Sequence, residues 1–204
     1  MTDGPFTEVP SARPMSIADW EAMLEDEPGE LVDGHLVEEE DSSFVHELVV
    51  VALTTMFGRW LEGRDGFVFG SNAKFALKPT LGRKPDLSVV LPGGRKPPPR
   101  GACRIPPDIL VEVVSPTPRD GRRDRVEKLK EYAAFGVRWY GIVEPELRSV
   151  QILELGPDSR YTYAASATDG TIEVPGCDGL SLDLDALWKE ADLLEASEDG
   201  EPTE

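Results

Sequence analysis

The sequence predicts a single α/β domain of α+β character, in which helices pack on a mixed β-sheet. Its 204 residues suit one medium-sized domain that buries a core without disulfides or structural metals. Apolar residues recur at three- and four-residue spacing in some segments and form short β-branched runs in others. These segments follow the order helix, several strands, helix, strands, with no internal repeat, which is typical of a layered α/β sandwich.

We expect the domain to span residues 15–193, between disordered tails at residues 1–14 and 194–204. The first tail is rich in Pro, Ser and Thr. The second consists of Leu194 and the acidic stretch "EASEDGEPTE". Neither segment carries enough apolar surface to order itself by burial.

The N-terminal part predicts a helix, a hairpin and a longer helix. Ser16 with Asp19 three residues on is an acidic variant of the capping box. The pair Asp33-Gly34 within "ELVDGHLVEEE" is a strong signal for a two-residue hairpin turn. A long amphipathic helix follows from about Ser43 to Glu62. The apolar stripe of the first helix is predicted to contain Ile17, Trp20, Met23 and Leu24.

The central part predicts four strands and a functional loop. The strands are "FVFGS", "AKFALKP", Asp86 to Leu91, and Ile109 to Val114. Between the last two lies "PGGRKPPPRGACRIPPD", whose prolines and glycines are incompatible with a helix or a central strand. Long surface loops of this kind are frequently functional.

The C-terminal part predicts a helix from Arg122 to Phe135, ended by Gly136. Its core stripe is predicted to contain Val126, Leu129, Tyr132 and Ala133, with Lys128 at the border of that stripe. The strands "RWYGIV" and "SVQILEL" follow, then weaker strands near Tyr161 and Thr171, and a helix from Leu184 to Leu193.

Charge is distributed unevenly along the chain. A net charge of −18 argues against binding to nucleic acid, because phosphates need Lys and Arg. From Arg83 to Arg138, however, 13 Lys or Arg face 7 Asp or Glu, a local charge of +6, so that the remainder carries −24. The alternative is that these basic residues form an ordinary solvated surface.

Other features predict a cytoplasmic protein that does not bind membranes. The N-terminus has no basic and apolar leader pattern, and we expect no apolar run long enough to cross a membrane. Cys103 and Cys177 stand 74 positions apart without a CxxC motif, which favours two unpaired thiols over a zinc site or a disulfide.

Two carboxylates lie in apolar strand-like runs, Asp86 in "RKPDLSVV" and Glu112 in "ILVEVVSP". A buried ionised carboxylate costs several kcal/mol unless a cation or donor meets it. If the strands are neighbours, a divalent cation such as Mg²⁺ or Mn²⁺ is an economical compensation, and Lys128 on the following helix adds positive charge. The alternatives are a turn role for Asp86, an edge strand for Glu112, and an i,i+4 pair of Lys128 with Asp124.

Several short motifs together resemble the Uma2 family, which is assigned to the PD-(D/E)XK restriction-endonuclease-like superfamily. They are "PD" at Pro85 and Asp86, "EVVSPT" from Glu112, "RDRVEKLKEY", "GVRWYGIVEPE" and "ELVDGHLV" with the following His46. The resemblance covers roughly residues 15–190. It implies a restriction-endonuclease-like core with an N-terminal helix and hairpin, and nuclease activity.

The resemblance also implies a site. Asp86, Glu112 and Lys128 match its catalytic residues. The metal ligands implied are Asp86, Glu112, the backbone carbonyl of Val113, Glu30 and His46. Val114 occupies the position of the usual E-x-K lysine, so the helix supplies the lysine through Lys128, with Lys130 as the second candidate. Glu30 alternatively pairs with Arg or Lys, and Glu47 replaces His46 if the long helix faces the other way.

The leading hypothesis is an endonuclease that uses Mg²⁺ or Mn²⁺ to hydrolyse phosphodiester bonds of nucleic acid, with DNA as the expected substrate. We expect phosphate contacts from Arg95, Lys96, Arg100, Arg119, Arg122 and Arg123. The alternative is a catalytically inactive nucleic-acid- or protein-binding module on the same fold. A third hypothesis is an antitoxin-like or scaffolding protein. A homodimer is compatible with the sequence, although no pattern requires one.

Overall fold

The computed structural model describes residues 14–23, 29–37, 43–115 and 123–198. Its helical elements are α1 (Ile17–Glu21), α2 (Phe44–Leu61), a π-helical segment (Arg123–Lys128), α3 (Leu129–Phe135) and α4 (Leu184–Glu198). Its strands are β1 (Glu30–Val32), β2 (His35–Val37), β3 (Phe67–Gly70), β4 (Phe75–Lys78), β5 (Leu81–Arg83), β6 (Leu87–Val90), β7 (Ile109–Val113), β8 (Trp139–Glu144), β9 (Ser149–Leu155), β10 (Tyr161–Ala167), β11 (Thr171–Glu173) and β12 (Ser181–Asp183). The predicted α/β class is confirmed.

A six-stranded mixed sheet forms the centre of the domain, in the order β10-β9-β8-β7-β6-β3. β7 and β8 are parallel, and the other neighbouring strands are antiparallel. In the pairing of β6 with β7, Leu87 lies opposite Val111. Asp86, which precedes β6, is therefore brought to the level of Glu112 in β7.

The two faces of this sheet are covered by different helices. Val49, Leu53 and Phe57 of α2 pack on one face together with residues of α4. On the opposite face, Tyr132 of α3 packs with Phe75 of β4. The strand residues of the first face include Leu87, Val89, Val111 and Val113, and those of the second include Leu110, Tyr140, Ile142 and Leu153. Glu112 belongs to the second face, because side chains alternate along a strand.

A second, four-stranded sheet in the order β2-β1-β5-β4 carries α1. Ser16 caps α1 with the predicted capping box. The hairpin predicted at Asp33-Gly34 is also confirmed, since β1 and β2 pair around it and both turn residues have positive φ angles of 50° and 79°. The sequence analysis did not predict β5, which is only three residues long and contains Gly82.

The segment predicted as a regular helix over Arg122–Phe135 begins instead with the π-helical segment. Its i→i+5 hydrogen bonds widen the turn and rotate each residue less than an α-helix does. Val126, predicted in the core stripe, is therefore 43% exposed, whereas Lys128 turns inward. At the other end of the chain, α4 continues to Glu198, beyond the predicted end at Leu193. Leu24 and most of the two predicted tails lie outside the described residues.

The helix α2 has the length and composition of a membrane-crossing helix, with 18 residues and a mean hydropathy of 1.3, although the sequence analysis expected no such run. One face of α2 packs on the central sheet through Val49, Leu53 and Phe57. The core helix of a globular domain can have the same length and composition, and the packing of this face accounts for the apolar residues that it buries.

The close contact between Gly82 and Trp20 predicts a stability effect. A Cβ atom at Gly82 would lie 2.5 Å from Cζ3 of the buried Trp20 ring, whereas a Cβ at Gly70 would meet no atom within 4 Å. We expect Gly82→Ala to lower the free energy of unfolding by ~1–3 kcal/mol. The matched Gly70→Ala variant should change it by less than ~0.5 kcal/mol. Urea unfolding of both variants measures the difference, and equal midpoints would contradict this packing.

Candidate active site

Glu112 is a buried carboxylate in the middle of the central sheet, with 2% of its surface exposed. Its Oε2 atom lies 2.9 Å from Nζ of Lys128, and its Oε1 atom accepts a hydrogen bond of 2.5 Å from the hydroxyl of Tyr132. Lys128 and Tyr132 are four residues apart and therefore share one helical face. A single helical stretch thus compensates the buried charge of Glu112.

The π-helical segment determines which lysine reaches Glu112. Lys128 is its last residue and is 1% exposed, whereas Lys130 is exposed on α3. The wider π-helical turn precedes α3 and rotates Lys128 toward the sheet, on the side of Tyr132. The described geometry therefore favours Lys128 over Lys130 as the lysine of the site.

Arg83 at the end of β5 links two further carboxylates to this cluster. The guanidinium is fully buried and donates from Nη1 to Oε2 of Glu30 over 2.6 Å. It also forms a bidentate pair with Glu131 through Nε and Nη2, at 2.8 and 3.0 Å. The second oxygen of Glu30 accepts the backbone N–H of Lys84 at 2.9 Å. Glu30 thus pairs with an arginine, which is one of its two predicted roles.

The pKa shifts show that these groups act on one another. Burial alone would raise the pKa of Glu30, but the positive charges of Lys128 and Arg83 outweigh it and lower that pKa below its ordinary value. Burial, together with the charges of Glu112 and Glu30, raises the pKa of Tyr132 well above its ordinary range. Tyr132 therefore remains a neutral hydroxyl that donates to Glu112.

Asp86 lies at the start of β6, beside the strand that carries Glu112. Its Oδ2 atom accepts the backbone N–H of Val113 at 2.7 Å and lies 3.3 Å from Nε2 of His46. His46 is buried near the start of α2, and its Nδ1 atom lies 3.4 Å from Glu47 without the geometry of a hydrogen bond. Burial alone would lower the pKa of His46, but Asp86 and Glu47 outweigh it and raise that pKa.

The residues around Glu112 suit a cation that is bound partly by the protein and partly by the substrate. Within the described part of the chain, they do not form a site in which the protein supplies every ligand. No three His, Cys, Asp or Glu side chains form a metal-binding group among the residues that the model describes. Mg²⁺ needs no such group, because it typically takes one or two carboxylates and completes its shell with water and phosphate oxygens. Asp86 and Glu112, with the predicted carbonyl of Val113, match that requirement. The ligand roles of all five residues, Asp86, Glu112, Val113, Glu30 and His46, remain predictions.

The predicted phosphate contacts lie on two segments. Arg95, Lys96 and Arg100 are exposed on the Pro-rich loop, where Lys96 also pairs with Asp65 at 3.0 Å. Arg119, Arg122 and the side chain of Arg123 lie outside the described part of the chain. The phosphate contacts of all six residues remain predictions.

Three members of the site were not identified from the sequence: Tyr132, Arg83 and Glu131. Tyr132 was predicted only as part of the core stripe, and the other two residues were given no role. One signal was available for Tyr132, because a buried tyrosine hydroxyl needs a partner and a lysine lies one turn away. No comparable signal in the sequence connects Arg83 to Glu131, since 48 positions separate them.

A mixed sheet with two acidic residues on adjacent strands and a lysine from the next helix is typical of restriction-endonuclease-like proteins. The Uma2 family model, described as "Putative restriction endonuclease", matches residues 17–185, and the chain belongs to this family.

One solved structure similar to this chain is "a putative nuclease belonging to DUF820 from Anabaena variabilis ATCC 29413". The similarity has a TM-score of 0.68 and 16% sequence identity, and covers 87% of this chain and 99% of that one. At this identity the comparison shows a shared fold. No curated protein matches the chain.

The buried pair predicts a strong coupling in stability. Lys128→Met leaves Glu112 without its cation and should lower the free energy of unfolding by ~3–5 kcal/mol. Adding Glu112→Gln removes the unpaired charge, so the double variant should be more stable than Lys128→Met alone. Urea unfolding of the two single variants and the double variant measures the coupling energy. Additive effects would show that the two side chains do not interact.

The lowered pKa of Glu30 predicts a pH dependence. A carboxyl group whose folded pKa lies below its unfolded value of about 4.3 stabilises the protein above that pH. This contribution is lost as the pH falls from the unfolded pKa toward the folded pKa. We expect Glu30→Gln to be less stable than the parent at pH 6, with the difference shrinking below about pH 4. Unfolding measured at both pH values tests this, and a constant difference would contradict the assignment.

Proposed function

We propose that this Uma2 protein is a nuclease that hydrolyses phosphodiester bonds of DNA with Mg²⁺ or Mn²⁺. The observation that carries the proposal is the Glu112 carboxylate held by Lys128 at 2.9 Å and by Tyr132 at 2.5 Å. Asp86 supports it, because its carboxylate contacts Val113, the residue that follows Glu112 in β7. Membership of the family supports the nuclease class.

In the proposed mechanism each side chain has a separate task. A divalent cation, when bound by Asp86 and Glu112, supplies Lewis acidity to the scissile phosphate. Tyr132 donates to Oε1 of Glu112 and so fixes the orientation of the carboxylate. Lys128 orients the attacking water with its N–H donors and places positive charge where the phosphate gains negative charge. Arg83 acts at a distance, because it keeps Glu30 ionised beside Lys128.

We expect the purified protein to nick supercoiled plasmid in Mg²⁺ or Mn²⁺ and to stop when EDTA removes the metal. Glu112→Gln keeps the volume of the side chain but removes its charge, and should reduce the rate by ~100-fold or more. The matched control is Glu173→Gln, because Glu173 is exposed on β11 and belongs to no part of this site. Gel analysis of nicked plasmid gives the rates. Equal rates for Glu112→Gln and the parent would show that another site, or a contaminant, cuts the DNA.

A second candidate function is a catalytically inactive nucleic-acid-binding module. Two observations favour it: Val114, at the usual lysine position, is buried in the core, and Glu112 is already compensated by Lys128 and Tyr132. Calorimetric titration with Mn²⁺ separates the two candidates. A nuclease should bind the ion and lose affinity in Asp86→Asn, whereas the inactive module should give no binding heat in either protein.

A further inference from the structure

The strand β3 forms the outer edge of the central sheet and carries a pair of aromatic side chains. The rings of Phe67 and Phe69 are stacked, with centroids 6.0 Å apart and planes inclined by 17°. Phe67 is 37% exposed, and Phe69 is half-buried beside it. Exposed aromatic residues on an edge strand promote aggregation, so proteins tend to retain them where they bind a partner.

The aromatic pair lies on the same face of the sheet as Glu112. Phe69 is opposite Ser88 in β6, and Ser88 is opposite Leu110 in β7. Directly opposed residues share a face, and Leu110 is two positions from Glu112 on the same side of β7. Two strand spacings and two residues along the strand separate Phe69 from Glu112, a distance of about 12 Å. The pair therefore lies beside the candidate active site.

Basic side chains lie close to these rings. Nζ of Lys96 lies 5.5 Å from the centroid of Phe67. A cavity of about 530 Å³ opens next to Phe69, and Lys74 and Arg100 contribute to its lining. Two nearby acidic residues are paired with cations: Asp65 with Lys96 at 3.0 Å, and Glu21 with Arg104 at 2.7 Å.

We infer that this edge binds single-stranded nucleic acid, with unpaired bases stacked on Phe67 and Phe69 and phosphates on Lys96 and Arg100. Aromatic rings beside cations are the usual surface for single strands, because every unpaired base offers a ring face. In a duplex those faces are covered by neighbouring base pairs, so a duplex gains nothing from the rings. The inference rests on the proposed nuclease function and adds its substrate class.

The test is binding of a fluorescently labelled oligothymidine, followed by anisotropy in EDTA so that no cleavage occurs. The double variant Phe67→Ala/Phe69→Ala should bind the single strand at least roughly 10-fold more weakly, since each stacked base contributes a factor of about 5 or more. Phe67→Trp should retain the binding, because indole stacks as well as phenyl. The control is Phe44→Ala on α2, which removes a more exposed phenylalanine, at 87%, and should leave binding unchanged. Thermal unfolding confirms that each variant is folded.

The same variants are compared on a duplex of matched sequence. Loss of single-strand binding with unchanged duplex binding supports the inference. It is overturned if the double variant binds the single strand like the parent, or if Phe44→Ala weakens binding equally. Plasmid nicking reports separately on the proposed function. If the protein cuts DNA but its single-strand binding does not depend on Phe67 and Phe69, the proposed function stands and the single-strand inference is overturned.

Discussion

The ion pair between Glu112 and Lys128 is the interaction on which the rest of the structure depends. Both side chains are almost fully buried, at 2% and 1% exposure, in the layer between the central sheet and α3. Either charge alone would cost several kcal/mol in that position. The pair forms only if α3 packs on β7 in a position that lets Lys128 reach Glu112. The π-helical turn before α3 places Lys128 within reach of Glu112. The packing of α3 on the sheet and the pairing of Lys128 with Glu112 therefore require the same position of this helix.

The charge pairing extends beyond the central sheet into the N-terminal hairpin. Glu30 belongs to β1 and Arg83 to β5, while Glu131 belongs to α3. Because Arg83 contacts both glutamates, the small four-stranded sheet is bound to α3, which directly follows Lys128. Breaking a buried pair by removing one partner is strongly destabilising. The hairpin therefore stabilises the position of the site residues. A substitution at Arg83 should alter the position of Lys128, although Arg83 itself does not contact substrate.

The sequence predicted the parts of the fold and site that local pattern determines. The hairpin at Asp33-Gly34 depends on two residues that accept positive φ angles, and the central position of Glu112 follows from the apolar run around it. Contacts between residues far apart in the sequence were not predicted, and one core assignment was wrong. Arg83 and Glu131 meet only through tertiary folding, and Val126 was placed in the core because α-helical spacing was applied to a π-helical turn. The three-residue strand β5 carries too little local signal to be identified.

Diffraction from crystals soaked in Mn²⁺ shows whether Asp86 and Glu112 hold a cation, because the ion is located by its anomalous scattering. We expect a peak in contact with the carboxylates of Asp86 and Glu112, with Lys128 still paired to Glu112, and no such peak in Glu112→Gln crystals. A peak elsewhere on the protein, or none at an ion concentration that supports DNA cleavage, would contradict the assignment of this cluster as the catalytic centre.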